Sequence, residues 1–218
     1  MSEEPNTPVP GPVTADDVAH AVRITVDALS AATGADWHVP AGPLEWTCWE
    51  TGEHLADDLF AYAAQIGSTR PLADAYVSFG FSRRRPQGPA NTVTAEPEAG
   101  PAGLLGVLEA CGGLLVAVVR ATPADARGHH VFGAADPEGF AAMGVVETLL
   151  HAHDMALGLG VPFEPPAGLC ARSLHRLFPD APTATEPWPT LLWATGRGDL
   201  PGRERVGKWR WYGAPRAT

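Results

Sequence analysis

Between Pro137 and Pro162 no proline interrupts the chain, and apolar residues dominate positions 140–161. Within this run stand Glu147, His151, His153 and Asp154, four groups able to hold protons or a metal ion. The pattern predicts a buried helix, opened by Asp136 and Pro137. At about 100° per residue Glu147 and His151 lie one above the other, and Asp154 returns to within about 20° of Glu147 after two turns. One helix face therefore presents Glu, His and Asp together, while His153 points away from it. Burying an acid and an imidazole on a leucine-rich helix is costly unless something satisfies them, and a metal ion is one such partner.

The rest of the chain reads as more helices. Thr14, followed by Asp16 and Asp17, marks a helix start, and Val18, Val22, Val26 and Leu29 recur at helical spacing to about residue 32. After a loop rich in Gly and Pro, Thr47 opens a second helix over 47–66. Strand-like residues at 75–81 and 91–94, separated by 83–88, predict either a short hairpin or an irregular crossover. A third, very apolar helix spans 102–120, although Gly112 and Gly113 each weaken it by about 1 kcal/mol relative to Ala. Shorter helices are expected at 166–178 and 189–195, before a tail at 196–218 with Trp209, Trp211 and Tyr212. Four long helices with a long link after the second predict an all-α protein built on a four-helix bundle. The expected organisation is a mobile proline-rich tail over 1–13, a metal-binding bundle over 14–162 and a helical extension over 163–218.

Charge and composition exclude some functions. A net charge of −10 over 218 residues argues against a nucleic-acid surface, which needs clustered Lys and Arg. No uninterrupted run of about 18 apolar residues and no basic plus apolar leader is evident, so a soluble cytoplasmic protein without a membrane partner is expected. Three scattered cysteines, Cys48, Cys111 and Cys170, fit reduced thiols better than a disulfide framework.

His54 sits in the apolar stripe of the second helix, where an imidazole is unusual. Together with Glu147 and His151 it makes two histidines and a glutamate, a set known from catalytic zinc sites that leave a position open. These residues, with Trp46-Thr47, the Glu147-x-x-x-His151-x-x-Asp154 pattern, Ala156 and Gly158 to Gly160, resemble the DinB-like superfamily. Within it the closest resemblance is to the N-terminal domain family of mycothiol-dependent maleylpyruvate isomerases, over roughly residues 14–160. The resemblance implies a DinB-like bundle whose divalent metal, usually zinc, is held by His54, Glu147 and His151. It also implies mycothiol as a cofactor in S-transfer or thiol-assisted isomerisation of a small electrophile. Bound at the open position, a low-molecular-weight thiol would be held as thiolate at neutral pH. The same ligands equally suit a thiol-independent hydrolase or lyase, or a non-catalytic metal-stabilised interaction module. The family isomerase resembles a two-part protein, whereas 58 residues (218 − 160) follow Gly160 here, so the resemblance does not extend to maleylpyruvate as substrate.

Other polar groups carry competing readings. Asp154 is expected either to orient His151 from behind the metal or to make a helix-end salt bridge. Asp58, one turn after His54, either hydrogen-bonds that imidazole or faces water, and the water-facing role is preferred. Glu50 repeats the Glu-x-x-x-His spacing and admits a dinuclear site, against a simple helix-start role. Arg83, Arg84 and Arg85 suit a carboxylate clamp, with a solvated tip preferred. His129 and His130 are assigned to a flexible loop, His153 to a half-exposed helix position, and Trp209, Trp211 and Tyr212 to packing. Cys48 lies near a helix start, which would lower its pKa.

Overall fold

A computed structural model describes residues 10–216. Residues 1–9 of the expected N-terminal tail lie outside the described residues. Val13, at its end, is buried, and its N–H donates to Glu138 at 3.1 Å. Six α-helices follow: α1 Ala15–Ser30, α2 Cys48–Ile66, α3 Gly100–Ala121, α4 Pro137–Leu159, α5 Ala167–Leu177 and α6 Pro187–Ala194. A single 3₁₀ turn at Pro97–Ala99 leads into α3. The chain is all-α.

Local chemistry sets the helix ends. Thr14 and Thr47 each form a capping box with the acid three residues on, Asp17 and Glu50. Asp136 accepts from the Gly139 N–H, and Pro137 occupies the first turn of α4, where a missing N–H costs nothing. Gly160 ends α4 at φ 69°, a left-handed cap that glycine adopts without strain.

Each of α1 and α2 packs against both α3 and α4, and α5 covers α4. Surrounded in this way, α4 is apolar around most of its circumference, with Phe140, Met143, Leu149, Leu150 and Met155 fully buried. Each such side chain contributes on the order of 1.5–3 kcal/mol. The span 97–121, whose most apolar 18-residue window has mean hydropathy 2.1, is long and apolar enough to cross a membrane by length and composition alone. In the fold α3 lies against α1 and α2; 33% of the span's most apolar window is buried, and Leu114 is exposed on its outer side.

Between α2 and α3 the expected strands do not form among the described residues. Ser82 and Asn91 make one isolated antiparallel bridge, and the crossover is otherwise irregular. Segment 75–81 has the β-branched and aromatic residues of a strand, but side chains of α2 take its backbone groups. Gln65 donates to the Leu72 and Ala75 carbonyls and accepts from the Val77 N–H. Three acids along α2 hold the remainder. Arg85 makes a two-pronged ion pair with Glu50 (2.6 and 2.8 Å), and Arg84 does the same with Glu53 (2.8 and 2.6 Å). Asp57 accepts from Thr92 N–H and Val93 N–H at 2.8 and 2.7 Å. The arginine run thus stays partly solvated, as expected of a tip, but it is not a free clamp. It fastens the crossover to α2, and Arg83 closes it on the Gly88 carbonyl.

The C-terminal extension is attached by the same device. Arg172 pairs with Asp17 of α1, Arg176 with Asp136 at the head of α4, and Arg197, after α6, with Asp154 near the foot of α4. Of the aromatic tail, Trp211 is buried beside Phe132 and Trp209, whereas Tyr212 is exposed and meets Arg210 instead of packing into the core.

Candidate metal centre

The i, i+4 spacing puts His54 and Asp58 on one turn of α2, and Glu147 and His151 on one turn of α4. These two turns face each other, with the His54 and His151 ring centroids 5.5 Å apart. One potential ligand atom each from His54, Asp58 and His151 lies within 4.8 Å of the other two. His54 Nε2 is 3.5 Å from Asp58 Oδ2, and His151 Nε2 is 3.3 Å from Glu147 Oε2. Glu147 therefore adjoins the cluster through His151, and Asp58 stands within it. Side-chain exposures of 25% for His54, 20% for Asp58, 14% for Glu147 and 7% for His151 leave the cluster partly exposed to solvent.

Behind the cluster, His151 Nδ1 faces Asp154 Oδ2 at 3.6 Å, just beyond hydrogen-bond range. Asp154 is almost fully enclosed and receives Arg197, whose Nε and Nη2 approach its Oδ2 at 3.1 and 2.8 Å. The two roles expected of Asp154 are thus compatible: it stands behind His151 and makes a salt bridge. Buried Nδ1 atoms of both His54 and His151 have no hydrogen-bond partner among the described residues.

The electrostatics suit a cation. Burial, and after it the charge on His151, lowers the His54 pKa to about 4, so this imidazole is neutral at physiological pH. For His151 burial also opposes the charged form, but Asp154 and Glu147 outweigh it and push the group up to about 9. Burial raises Asp58 well above the carboxylate range, and Glu147 adds to the effect. Glu147 and Asp154 are lowered despite burial, mainly by His151 and, for Asp154, also by Arg197. Without metal the Glu147 carboxylate is left facing the His151 imidazolium, while Asp154 is paired with Arg197. Two imidazoles and two carboxylates are the donor types that Zn²⁺ and related divalent ions accept, and such an ion would displace the His151 proton. On this chemistry the residues fit a divalent metal.

The other expected candidates fall elsewhere. Glu50 is held by Arg85 and the Thr47 cap, away from the cluster. His153 meets the edge of Trp188, with centroids 5.4 Å apart. Cys48 is fully buried and burial pushes its thiol up to about 11, the reverse of what its place at a helix start suggests. His129 packs on Tyr76. His130 is half-buried and lowered to about 4 by that burial, with Nδ1 accepting from Phe132 N–H (3.1 Å) and Trp211 N–H (3.4 Å). Residues that sequence reasoning passed over also reach the site: Arg197 behind Asp154, Tyr62 beside Glu147 and Asn91 beside His54. Tyr62, buried and next to Glu147 and Asp58, is held well above its ordinary pKa and stays a neutral phenol. A separate cavity of about 270 Å³, lined by Trp49, Glu50, Arg84 and Arg85 among others, includes none of the cluster residues. No protein-family model, curated protein or solved structure matches this chain.

Proposed function

We propose that this chain is a metal-dependent enzyme built on a DinB-like four-helix bundle, which uses a low-molecular-weight thiol such as mycothiol to act on a small electrophile. One observation carries the metal reading: His54, Asp58 and His151 converge from two helices, with Glu147 adjoining, in a cleft that solvent still reaches. His54, Glu147 and His151 are the expected ligands, and Asp58 is offered beside them. Zinc is the first choice for such a set, with an open position for an exchangeable ligand. The thiol and the family rest on the resemblance of Trp46-Thr47, His54 and the Glu147 to Asp154 motif.

When bound, a divalent ion supplies Lewis acidity that favours the deprotonated form of a sulfur ligand at neutral pH. The chain's own residues supply orientation. Asp154, fixed by Arg197, faces His151 Nδ1 and favours the ring orientation that turns Nε2 inward. Trp46 lies edge-on to His54 at 4.8 Å and walls the cleft on that side. The neutral Tyr62 phenol sits beside Glu147 as a hydrogen-bond donor.

Metal analysis of purified protein, followed by cobalt substitution and titration with several cellular thiols, tests the proposal. Expected are one divalent ion per chain, loss of that ion in His54→Ala and His151→Ala, and a change in the cobalt spectrum on adding thiol. Absence of stoichiometric metal, or variants that retain it, would overturn the metal reading. A cobalt spectrum indifferent to thiols would overturn the thiol reading and leave metal binding standing.

A further inference from the structure

The irregular crossover brings one polar side chain to the metal cluster, that of Asn91. Its backbone is held from both sides. Asn91 N–H donates to the Ser82 carbonyl at 2.9 Å and its carbonyl accepts from Ser82 N–H at 3.0 Å, while the next two N–H groups are bound by Asp57 on α2. The position of the side chain is therefore set without any help from the side chain itself. Asn91 is buried, and its carboxamide stands against the His54 imidazole. Oδ1 of Asn91 and Nδ1 of His54 are both buried, and neither completes a hydrogen bond of ordinary geometry with any described residue.

A neutral imidazole has one N–H, and its placement decides how many of these atoms are satisfied. With the proton on Nε2, facing Asp58, both His54 Nδ1 and Asn91 Oδ1 stay orphaned, and each buried orphan costs on the order of 1–3 kcal/mol. With the proton on Nδ1, the imidazole has a donor to offer the Asn91 carboxamide oxygen, and one bond satisfies both atoms. It also leaves the Nε2 lone pair turned toward Asp58 and His151, where the ligand atoms converge.

The geometry points to Asn91 as a positioning residue that accepts the His54 Nδ1–H and so fixes the tautomer that presents Nε2 to the metal. It plays for His54 the part that Asp154 plays for His151, and it does so from a segment with no regular secondary structure. Histidine ligands of metals commonly donate their second nitrogen in this way, and loss of the acceptor weakens metal binding about 10- to 100-fold. The inference rests on the metal reading, but the tautomer is measurable in protein without metal, so the two can fail separately.

Long-range ¹H–¹⁵N spectra of the metal-free protein, with His54 assigned by comparison with His54→Gln, report which nitrogen carries the proton. In the natural protein His54 should be the Nδ1–H tautomer, the one that free histidine disfavours. Asn91→Asp keeps an acceptor in place and should keep that tautomer. Asn91→Leu removes the acceptor but not the backbone bridge, and should release the proton to Nε2 and weaken zinc binding about 10- to 100-fold. A purely structural role for Asn91 would make the two variants behave alike. An Nε2–H tautomer in the natural protein overturns the inference, as does an unchanged tautomer and zinc affinity in Asn91→Leu. If Asn91→Leu fails to fold, the natural protein and Asn91→Asp decide: both must be Nδ1–H. If zinc does not bind the natural protein, the metal reading fails while the tautomer result still stands or falls by itself.

Discussion

Arg197→Met asks how much one buried arginine contributes to holding the C-terminal extension and the floor of the metal centre together. In the native fold Arg197 keeps 13% of its side chain exposed and Asp154 1%, and the guanidinium meets Asp154 Oδ2 through two nitrogens. Removing the arginine leaves a buried carboxylate whose remaining cation is His151, 3.6 Å away. Breaking a buried pair from one side costs about 3–5 kcal/mol, because the surviving charge is uncompensated. With the His151 imidazolium compensating in part, the lower end, about 3 kcal/mol, is expected. An exposed pair on α1, Arg23 and Asp27 at 63% and 67% exposure, supplies the control: Arg23→Met should cost no more than about 0.5 kcal/mol. Urea denaturation of both variants, of Asp154→Asn and of the Arg197→Met/Asp154→Asn double variant completes the cycle. The double variant should be more stable than the sum of the single losses by about 2 kcal/mol, since neither charge is then left alone. A loss below about 1 kcal/mol for Arg197→Met, or strict additivity, would refute the reasoning that Asp154 is charged and dependent on this partner.

Three other outcomes follow from the same structure. His151 is raised from its ordinary value to about 9, so its contribution is complete below about pH 6.5 and fades as pH rises through 9; metal-free protein should lose up to about 3 kcal/mol across that window, read by denaturation at stepped pH. Gly158→Ala would set a methyl group against the Pro40 carbonyl and 2.7 Å from Cys48 Sγ, and should cost about 1–3 kcal/mol, whereas Gly106→Ala, facing open space, should be neutral or stabilising in the same thermal melts. Glu53→Gln weakens the hold on Arg84 and on the Ala95 N–H; a loss of about 1–2 kcal/mol and faster proteolysis within 78–96 are expected, and an unchanged cleavage rate would show that the crossover is held by other contacts.

Helix starts were legible in the sequence because the signals are local. Thr14 with Asp17, Thr47 with Glu50, and Asp136 before Pro137 each announce a cap within four residues, and the structure places helices there. Residues His54, Glu147 and His151 stood out for a different reason, as polar groups inside apolar stripes, and the fold brings all three to one place. Asp58 shows the limit of that approach: helical spacing places it near His54, but only the packing of α2 on α4 distinguishes an acid in the cleft from one facing water. Arg197 is 43 residues from Asp154, and no periodic pattern spans that separation. Asn91 was hidden by a correct propensity in the wrong context. Its neighbourhood has strand-like residues, yet Gln65 and Asp57 on α2 take the backbone groups a partner strand would need. Cys48 misled because the field of a helix start competes there with complete burial, and burial wins.

The arginine clamps give the fold an asymmetric response to acidity. Arginine stays charged over the whole range in which proteins fold, so each clamp has one switchable half, the carboxylate. Asp17 and Glu50 are lowered by their arginine partners, and Asp154 by His151 and then Arg197, so these attachments are intact above the ordinary carboxylate range and are lost only as pH falls through the lowered values. Alkali leaves them untouched and acts instead on the metal-free centre, through His151. Acid should therefore detach the crossover and the extension from an intact helical core, while base should loosen the empty centre with its coverings still fastened. Partial unfolding from the two ends of the pH scale would expose different surfaces of the same molecule.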